Sequence, residues 1–446
     1  ARAHLSKHAP LKRARLAGTT PGVLTKKQND LLNQTGASSP LGQLMRRYWI
    51  PALLSEEILL PDSPQVRVHI LGEELVAFRD TDGRIGLLAE HCPHRGTSLF
   101  YARNELCGLR CGYHGWKMDV DGNVLDTPAE PPNSRFKSKV KHTAYPTHEA
   151  GGVIWAYMGP KAEEPAFPNY SWTQMPEGYT YVTKSFLDCS WLQGLEGECD
   201  SAHLNFLHRI FSDKGFEDLY TDNMPHYETE DTDFGVRLIA TRWGDEDQSY
   251  IRVSSFVTPL SVWVPARNKE VHMYVPIEDG SSWRWDFGIS PHKMEADEPI
   301  PRRDQIDERF MRFRNAGNDY LIDREEQQTK TFLGLGFNFL PHDGMATESM
   351  GHIYDRRTEH LAVSDMGVIA VRRFLLKSID KLQDGEPLPH TSKDPEDPQG
   401  HIDTFAEFMP PDKPWREHYP HLTLEGRDAV AQVHTEVAGR DTRPGE

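Results

Sequence analysis

Four residues constrain this chain more than any others: Cys92, His94, Cys111 and His114. They fall in two matched pairs, Cys92-Pro93-His94-Arg95-Gly96 and Cys111-Gly112-Tyr113-His114-Gly115-Trp116, with sixteen residues between His94 and Cys111. Each pair offers one thiolate and one imidazole. Two thiolates can anchor one iron of a [2Fe–2S] cluster while two neutral imidazoles hold the other. Replacing two thiolates by histidines removes negative charge and raises the reduction potential, which suits one-electron delivery. Gly96, Gly112 and Gly115 allow close backbone approach, so amide N–H groups can bond the sulfurs. A tetrahedral zinc site would also accept two Cys and two His. Zinc fingers, however, usually pair Cys with Cys and His with His, so the mixed pairs favour the iron–sulfur reading. His91 and Cys107 break the spacing and are expected to pack or support rather than ligate.

At 446 residues the chain exceeds what one compact core usually organises, so two domains are expected, with room for a ligand cavity. The 67 acidic against 50 basic residues leave a net charge of −17, a surface that repels phosphate backbones and anionic headgroups. Nucleic acid and membranes are therefore excluded as expected partners. Five cysteines are an odd set for a disulfide framework and fit a reducing, cytoplasmic compartment. The sequence contains neither a membrane-length apolar run nor a cleavable leader pattern, so a soluble, unprocessed protein is expected. Residues 1–22 carry five basic and no acidic side chains and read as a disordered extension rather than a transit peptide.

Thr25 is a candidate N-cap for a short amphipathic helix beginning at Lys26. Val66, Val68 and Ile70 alternate with Arg67 and His69, Leu75–Phe78 follows, and Asp82-Gly83 marks a turn, a pattern of short antiparallel strands. Strand and turn signals continue to Gly152–Tyr157, and the linker-like composition of Pro160–Pro168 places a domain boundary there. Residues 23–160 form the expected first domain and 161–446 the second. The second domain mixes strands (Gly235–Thr241, Tyr250–Val257) with helices, notably Ser364–Leu382, whose Val368, Val371, Leu375 and Ile379 recur at helical spacing before Gly385. Residues 384–446, rich in Pro, Asp and His at their start, are expected to wrap irregularly.

The paired motif resembles that of the Rieske non-haem iron oxygenases. Leu24-Thr25-Lys26 with Asn29-Asp30-Leu31-Leu32, Arg47–Leu54, and Gly351–Arg356 with Glu359-His360-Leu361 are similar to the phthalate-dioxygenase-like branch, which includes aromatic O-demethylases. The resemblance covers residues 23 to about 380 and implies an α+β fold. An all-β Rieske domain would precede a catalytic domain of antiparallel sheet and helices, of the helix-grip, START-like kind.

A cluster alone could serve an electron carrier without catalysis of its own, so a second metal site is the deciding question. Asp200, His203 and His208 supply it. Positions 200 and 203 share a helix face, but 208 lies about 140° from 203 on a regular α-helix. A π-type distortion between His203 and His208 is therefore expected. Two histidines need a carboxylate to complete a facial triad for Fe(II), which leaves adjacent positions open for dioxygen. The resemblance implies Asp343 as that carboxylate, five positions before Glu348, with Glu348 and Asp355 as alternatives. It also implies that Asp200 links His203 to a cluster histidine of a neighbouring subunit; alternatively, Asp200 only orients His203.

The implied reaction is reductive oxygenation of a small aromatic compound with O2, by ring dihydroxylation or by O-demethylation. Arg209, Arg242 and Arg252 could clamp a substrate carboxylate in bidentate fashion, or could be ion pairs of structure alone. The chain shows neither a dinucleotide fingerprint nor a second Cys cluster, so a separate NAD(P)H-dependent reductase, with or without a ferredoxin, is expected. The resemblance further implies a homotrimer or stacked trimers.

Overall fold

The computed structural model describes residues 22–418 except 132, 212–221, 244–247, 266–269, 291, 296–297, 396, 398–401 and 411–414. The expected N-terminal extension and the end of the C-terminal segment lie outside the described residues. Thr25 caps the helix Lys26–Asn33 in a reciprocal arrangement: its side chain accepts from the Gln28 N–H, and the Gln28 side chain accepts from the Thr25 N–H.

Small antiparallel sheets then follow. Val66–Ile70, Glu73–Arg79 and Ile85–Ala89 make one, and four strands of two or three residues between Arg103 and Asp126 make another. Their facing side chains, among them Val76, Phe78, Leu88, Leu109 and Met118, form a core of their own that also buries Cys92, Cys111 and Trp116. Trp49–Leu54 and Thr147–Ala150 flank Val153–Tyr157 in a third sheet.

An eight-stranded antiparallel sheet dominates the remainder. Its spatial order is Thr180–Leu187, Ser281–Ile289, Glu270–Glu278, Ser261–Val264, Ser249–Val257, Gly235–Trp243 and His226–Asp231. The long strand Ser249–Val257 is completed on one side by two segments. Ser255–Val257 pair with Ser261–Trp263, while Ser249–Val253 pair with Phe405–Met409. The segment expected to be irregular thus contributes a strand, held by Phe405 and Met409 packing on Ile251 and Val253.

Helix Trp191–Cys199 lies against the strands Ser261–Val264 and Glu270–Glu278, and helix Met366–Asp384 against His226–Asp231 and Gly235–Trp243. The latter buries Val368, Val371, Leu375 and Ile379 and ends at Gly385, whose φ of 70° supplies the left-handed turn. Among the described residues no helix is long and apolar enough to cross a membrane.

Candidate metal centres and cavity

The two Cys/His loops fold alike. In the first, Gly96 N–H donates to Cys92 O and Cys92 N–H to Thr97 O; in the second, Gly115 N–H donates to Cys111 O and Cys111 N–H to Trp116 O. Gly96 and Gly115 both take φ of 74°, a left-handed conformation that closes each turn. The loops face one another: the His94 and His114 ring centroids are 4.6 Å apart, and His94 stacks on Trp116 at 4.6 Å. Burial, with Cys111 close by, pushes the Cys92 thiol up to about 11. His114 Nδ1 is buried without a hydrogen-bond partner among the described residues. A pair of buried thiols and an inward, unsatisfied imidazole nitrogen fit a [2Fe–2S] cluster. His91 supports the first loop, with Nδ1 3.1 Å from Gly96 O, whereas Cys107 faces Asp82.

The second group departs from the expected geometry. Helix Trp191–Cys199 ends where Asp200 turns extended (φ −97°, ψ 127°), and His203–Asn205 form a single 3-10 turn. Neither a continuous α-helix nor a π-type bulge carries His203 and His208. Asp200 itself stops the helix, because its carboxylate accepts from the N–H groups of Ala202 (2.7 Å) and His203 (3.2 Å) and so replaces the helical acceptors. Arg242, fully buried, pins this turn from the sheet by donating to Ser201 O, Ser201 Oγ and Asn205 Oδ1. The tight path brings the His203 and His208 rings to 5.0 Å.

Asp343 reaches the same place from helix Phe339–Glu348. Its Oδ1 lies 3.0 Å from His208 Nε2, and one ligand atom from each of His203, His208 and Asp343 can be chosen so that all lie within 4.8 Å of one another. His203 Nδ1 is 3.6 Å from Asp200 Oδ2 and lacks a hydrogen-bond partner among the described residues. Two imidazoles and a carboxylate clustered in this way suit a hard-to-borderline divalent ion such as Fe(II).

Residues 48–145 match the Rieske [2Fe–2S] domain family, and residues 156–438 match the LigXa C-terminal domain like family. The chain is 36% identical over 442 residues to the phthalate 4,5-dioxygenase oxygenase subunit of Pseudomonas putida, covering 93% of this chain and all of that one. The chain belongs to the Rieske non-haem iron oxygenases. Other oxygenase subunits are similar as well. The 3-chlorobenzoate-3,4-dioxygenase subunit of Comamonas testosteroni is 35% identical (82% of this chain, 91% of that one). The 5,5'-dehydrodivanillate O-demethylase subunit of a Sphingobium strain is 31% identical (84% of each). The fold is shared with dicamba monooxygenase, at a TM-score of 0.55 and 17% identity over 76% of this chain and 99% of that one. A catalytic Rieske oxygenase, rather than a cluster-only electron carrier, is what these matches show, and its first domain is of the Rieske [2Fe–2S] kind.

In this Rieske oxygenase, buried charge surrounds Asp343. Arg284 Nη1 donates to Asp343 Oδ2 at 2.9 Å, its Nε to Asp286 Oδ1 at 2.9 Å, and its Nη2 lies 3.3 Å from Glu198 Oε1. Burial alone would raise Asp343, but His208 and Arg284 hold it well below the usual carboxylate range. Burial likewise works against a charged His272, yet Glu198 and Glu270 lift it to about 9. Burial pushes His208 down, leaving it a neutral, ligand-ready imidazole.

A cavity of about 410 Å³ opens beside His203 and Asp343, walled by Leu187, Leu207, Leu340, Met350, Leu361 and Val368. The arginines expected to clamp a carboxylate do not line it. Arg242 is consumed by the 201–205 turn, Arg252 faces Pro265 O and Arg209 lies outside the wall. Three arginines that sequence reading passed over do reach the cavity, and each is paired: Arg284 as above, Arg312 with Glu348, and Arg372 with Glu196 and Glu359. Of the alternative ligands, Glu348 is bound by Arg312 and Tyr320, and Asp355 pairs with Arg357. Neither joins the metal group.

Proposed function

We propose that Cys92, His94, Cys111 and His114 hold the Rieske cluster, that His203, His208 and Asp343 hold the mononuclear iron, and that a small aromatic substrate is oxygenated in the adjoining cavity. The single observation that carries this reading is the approach of His203, His208 and Asp343 within 4.8 Å, with His203 and Asp343 lining that cavity. Bound there, a ferrous ion supplies dioxygen activation at open coordination positions. The apolar walls orient the ring and exclude water, while Arg284 keeps Asp343 ionised and fixed. In this reading Asp200 holds the His203 turn and carries the hydrogen-bonded link toward a cluster histidine of a neighbouring subunit in a homotrimer.

Electrons come from a separate NAD(P)H-dependent reductase, directly or through a ferredoxin, as the multicomponent naming of the related oxygenase subunits supports. Ring dihydroxylation and O-demethylation are both compatible with the cavity; the relatives act as dioxygenases and as an O-demethylase. The test is product analysis under 18O2 with phthalates, methoxybenzoates and biaryl acids, alongside iron analysis. Three irons per chain and labelled oxygen in product are expected. Two irons per chain, all in the cluster, would overturn the reading.

A further inference from the structure

We propose that His342 is a positioning residue that fixes His208 in the tautomer presenting a bare Nε2 to the mononuclear iron. This rests on the reading of His208 as an iron ligand. His342 is fully buried, one residue before Asp343 on the same helix. Its Nε2 lies 3.0 Å from Gly336 O, and its Nδ1 lies 3.3 Å from His208 Nδ1. A carbonyl can only accept, so the proton of a neutral His342 sits on Nε2 and its Nδ1 is a bare lone pair.

Two bare nitrogens 3.3 Å apart would repel, so His208 Nδ1 must be the donor between them. A neutral His208 that is protonated at Nδ1 has its lone pair at Nε2, the nitrogen facing Asp343 at 3.0 Å. A lone pair and a carboxylate oxygen at that separation repel unless they share a positive centre, a proton in the metal-free protein or the iron when it is bound.

The acceptor is itself anchored. Gly336 N–H donates to Glu326 Oε1 at 2.7 Å, and Glu326 also accepts from Thr331 Oγ1 at 2.7 Å, so the residue whose carbonyl faces His342 is held through its own N–H. Phe339 stacks on the His208 ring at 4.2 Å, restraining its plane but offering no acceptor. Metal-bound histidines usually give their second N–H to a carboxylate or carbonyl. An imidazole in that role is a neutral relay to the Gly336 carbonyl, placing no further negative charge beside Asp343.

The experiment uses the full chain with its cluster in place and cobalt(II) or Fe(II) at the mononuclear site. With cobalt(II) in the wild type, proton NMR should show a hyperfine-shifted, slowly exchanging His208 N–H with a cross-relaxation contact to the His342 ring. Absence of that signal overturns the proposal without any variant. His342→Leu removes the acceptor at similar volume, and Fe(II) affinity should fall about 10–100-fold while the cluster absorbance stays unchanged. His342→Asn can place Oδ1 where Nδ1 stands and should recover most of the loss. Wild-type affinity in His342→Leu overturns the proposal, as does an Asn variant that melts normally yet binds iron as poorly as Leu. His208→Ala is the control for the underlying reading. Retained iron there defeats the ligand assignment itself, whereas lost iron there with full affinity in His342→Leu defeats only the role of His342.

Discussion

The proposed cluster loops and the proposed mononuclear group are built on opposite plans. Each cluster loop is closed by its own backbone, a Gly N–H reaching a Cys carbonyl four residues earlier, so both Cys/His pairs are positioned within six residues. The mononuclear group draws one side chain from helix Phe339–Glu348 and two from a turn after helix Trp191–Cys199, and it depends on Arg242 and Arg284 from the sheet to hold them. Local hydrogen bonds make a redox centre that tolerates distant change. The oxygen-activating side is only as ordered as the tertiary packing behind it.

The sharpest way to break this contrast is to remove one ligand from each centre. His208→Ala is expected to abolish turnover and mononuclear iron while leaving the visible cluster spectrum intact, and Cys111→Ser to abolish turnover and the cluster spectrum while leaving the mononuclear iron, both read by iron content and absorbance. Loss of both centres in either variant would show that they fold as one unit. Next in size is Arg284→Leu, which strips Asp343 of its arginine and leaves Glu198 and Asp286 only His272 and Arg302 as cations. A loss of about 3–5 kcal/mol in urea unfolding is expected, with the cluster again unaffected at low denaturant.

Arg242→Ala should cost less, about 1–3 kcal/mol, since it leaves hydrogen-bond acceptors on Ser201 and Asn205 unpaired. It should weaken iron retention but leave the KM for anionic and neutral aromatics in the same ratio. A selective rise for the anionic ones would reinstate Arg242 as a clamp. The smallest effect is that of pH. His272 sits at about 9 when folded, above its unfolded value near 6.5, so its contribution is complete below about 6.5 and is lost as pH rises through about 9. Melting temperature should therefore decline by a few degrees between pH 7 and pH 9.5, and His272→Gln should flatten that slope.

The same contrast governs what the sequence disclosed. The cluster loops, the Thr25 cap, the strands around Val66 and Gly235 and the helix ending at Gly385 are set by neighbours a few residues away, and spacing reveals them. The helix break at Asp200 was not legible, because a carboxylate that caps its own turn reads the same as one on a continuing helix. Arg284 and His342 were missed for another reason. They act across 59 and 134 residues, on Asp343 and His208, and no local pattern marks a side chain whose partner is that far along the chain. A buried-sheet arginine flanked by Trp283 and Trp285 was the one available signal for the former.

The strand Ser249–Val257 leaves half of one edge to be filled by Phe405–Met409, more than 150 residues later. On the ribosome, that half-edge stays bare long after the rest of the sheet has been synthesised, and an unpaired edge is a template for pairing with another chain. Premature termination between Asp343 and Phe405 thus yields a polypeptide with both proposed metal-binding sets written and an open, adhesive flank. The final stretch of translation decides whether the sheet closes on itself or on a neighbour.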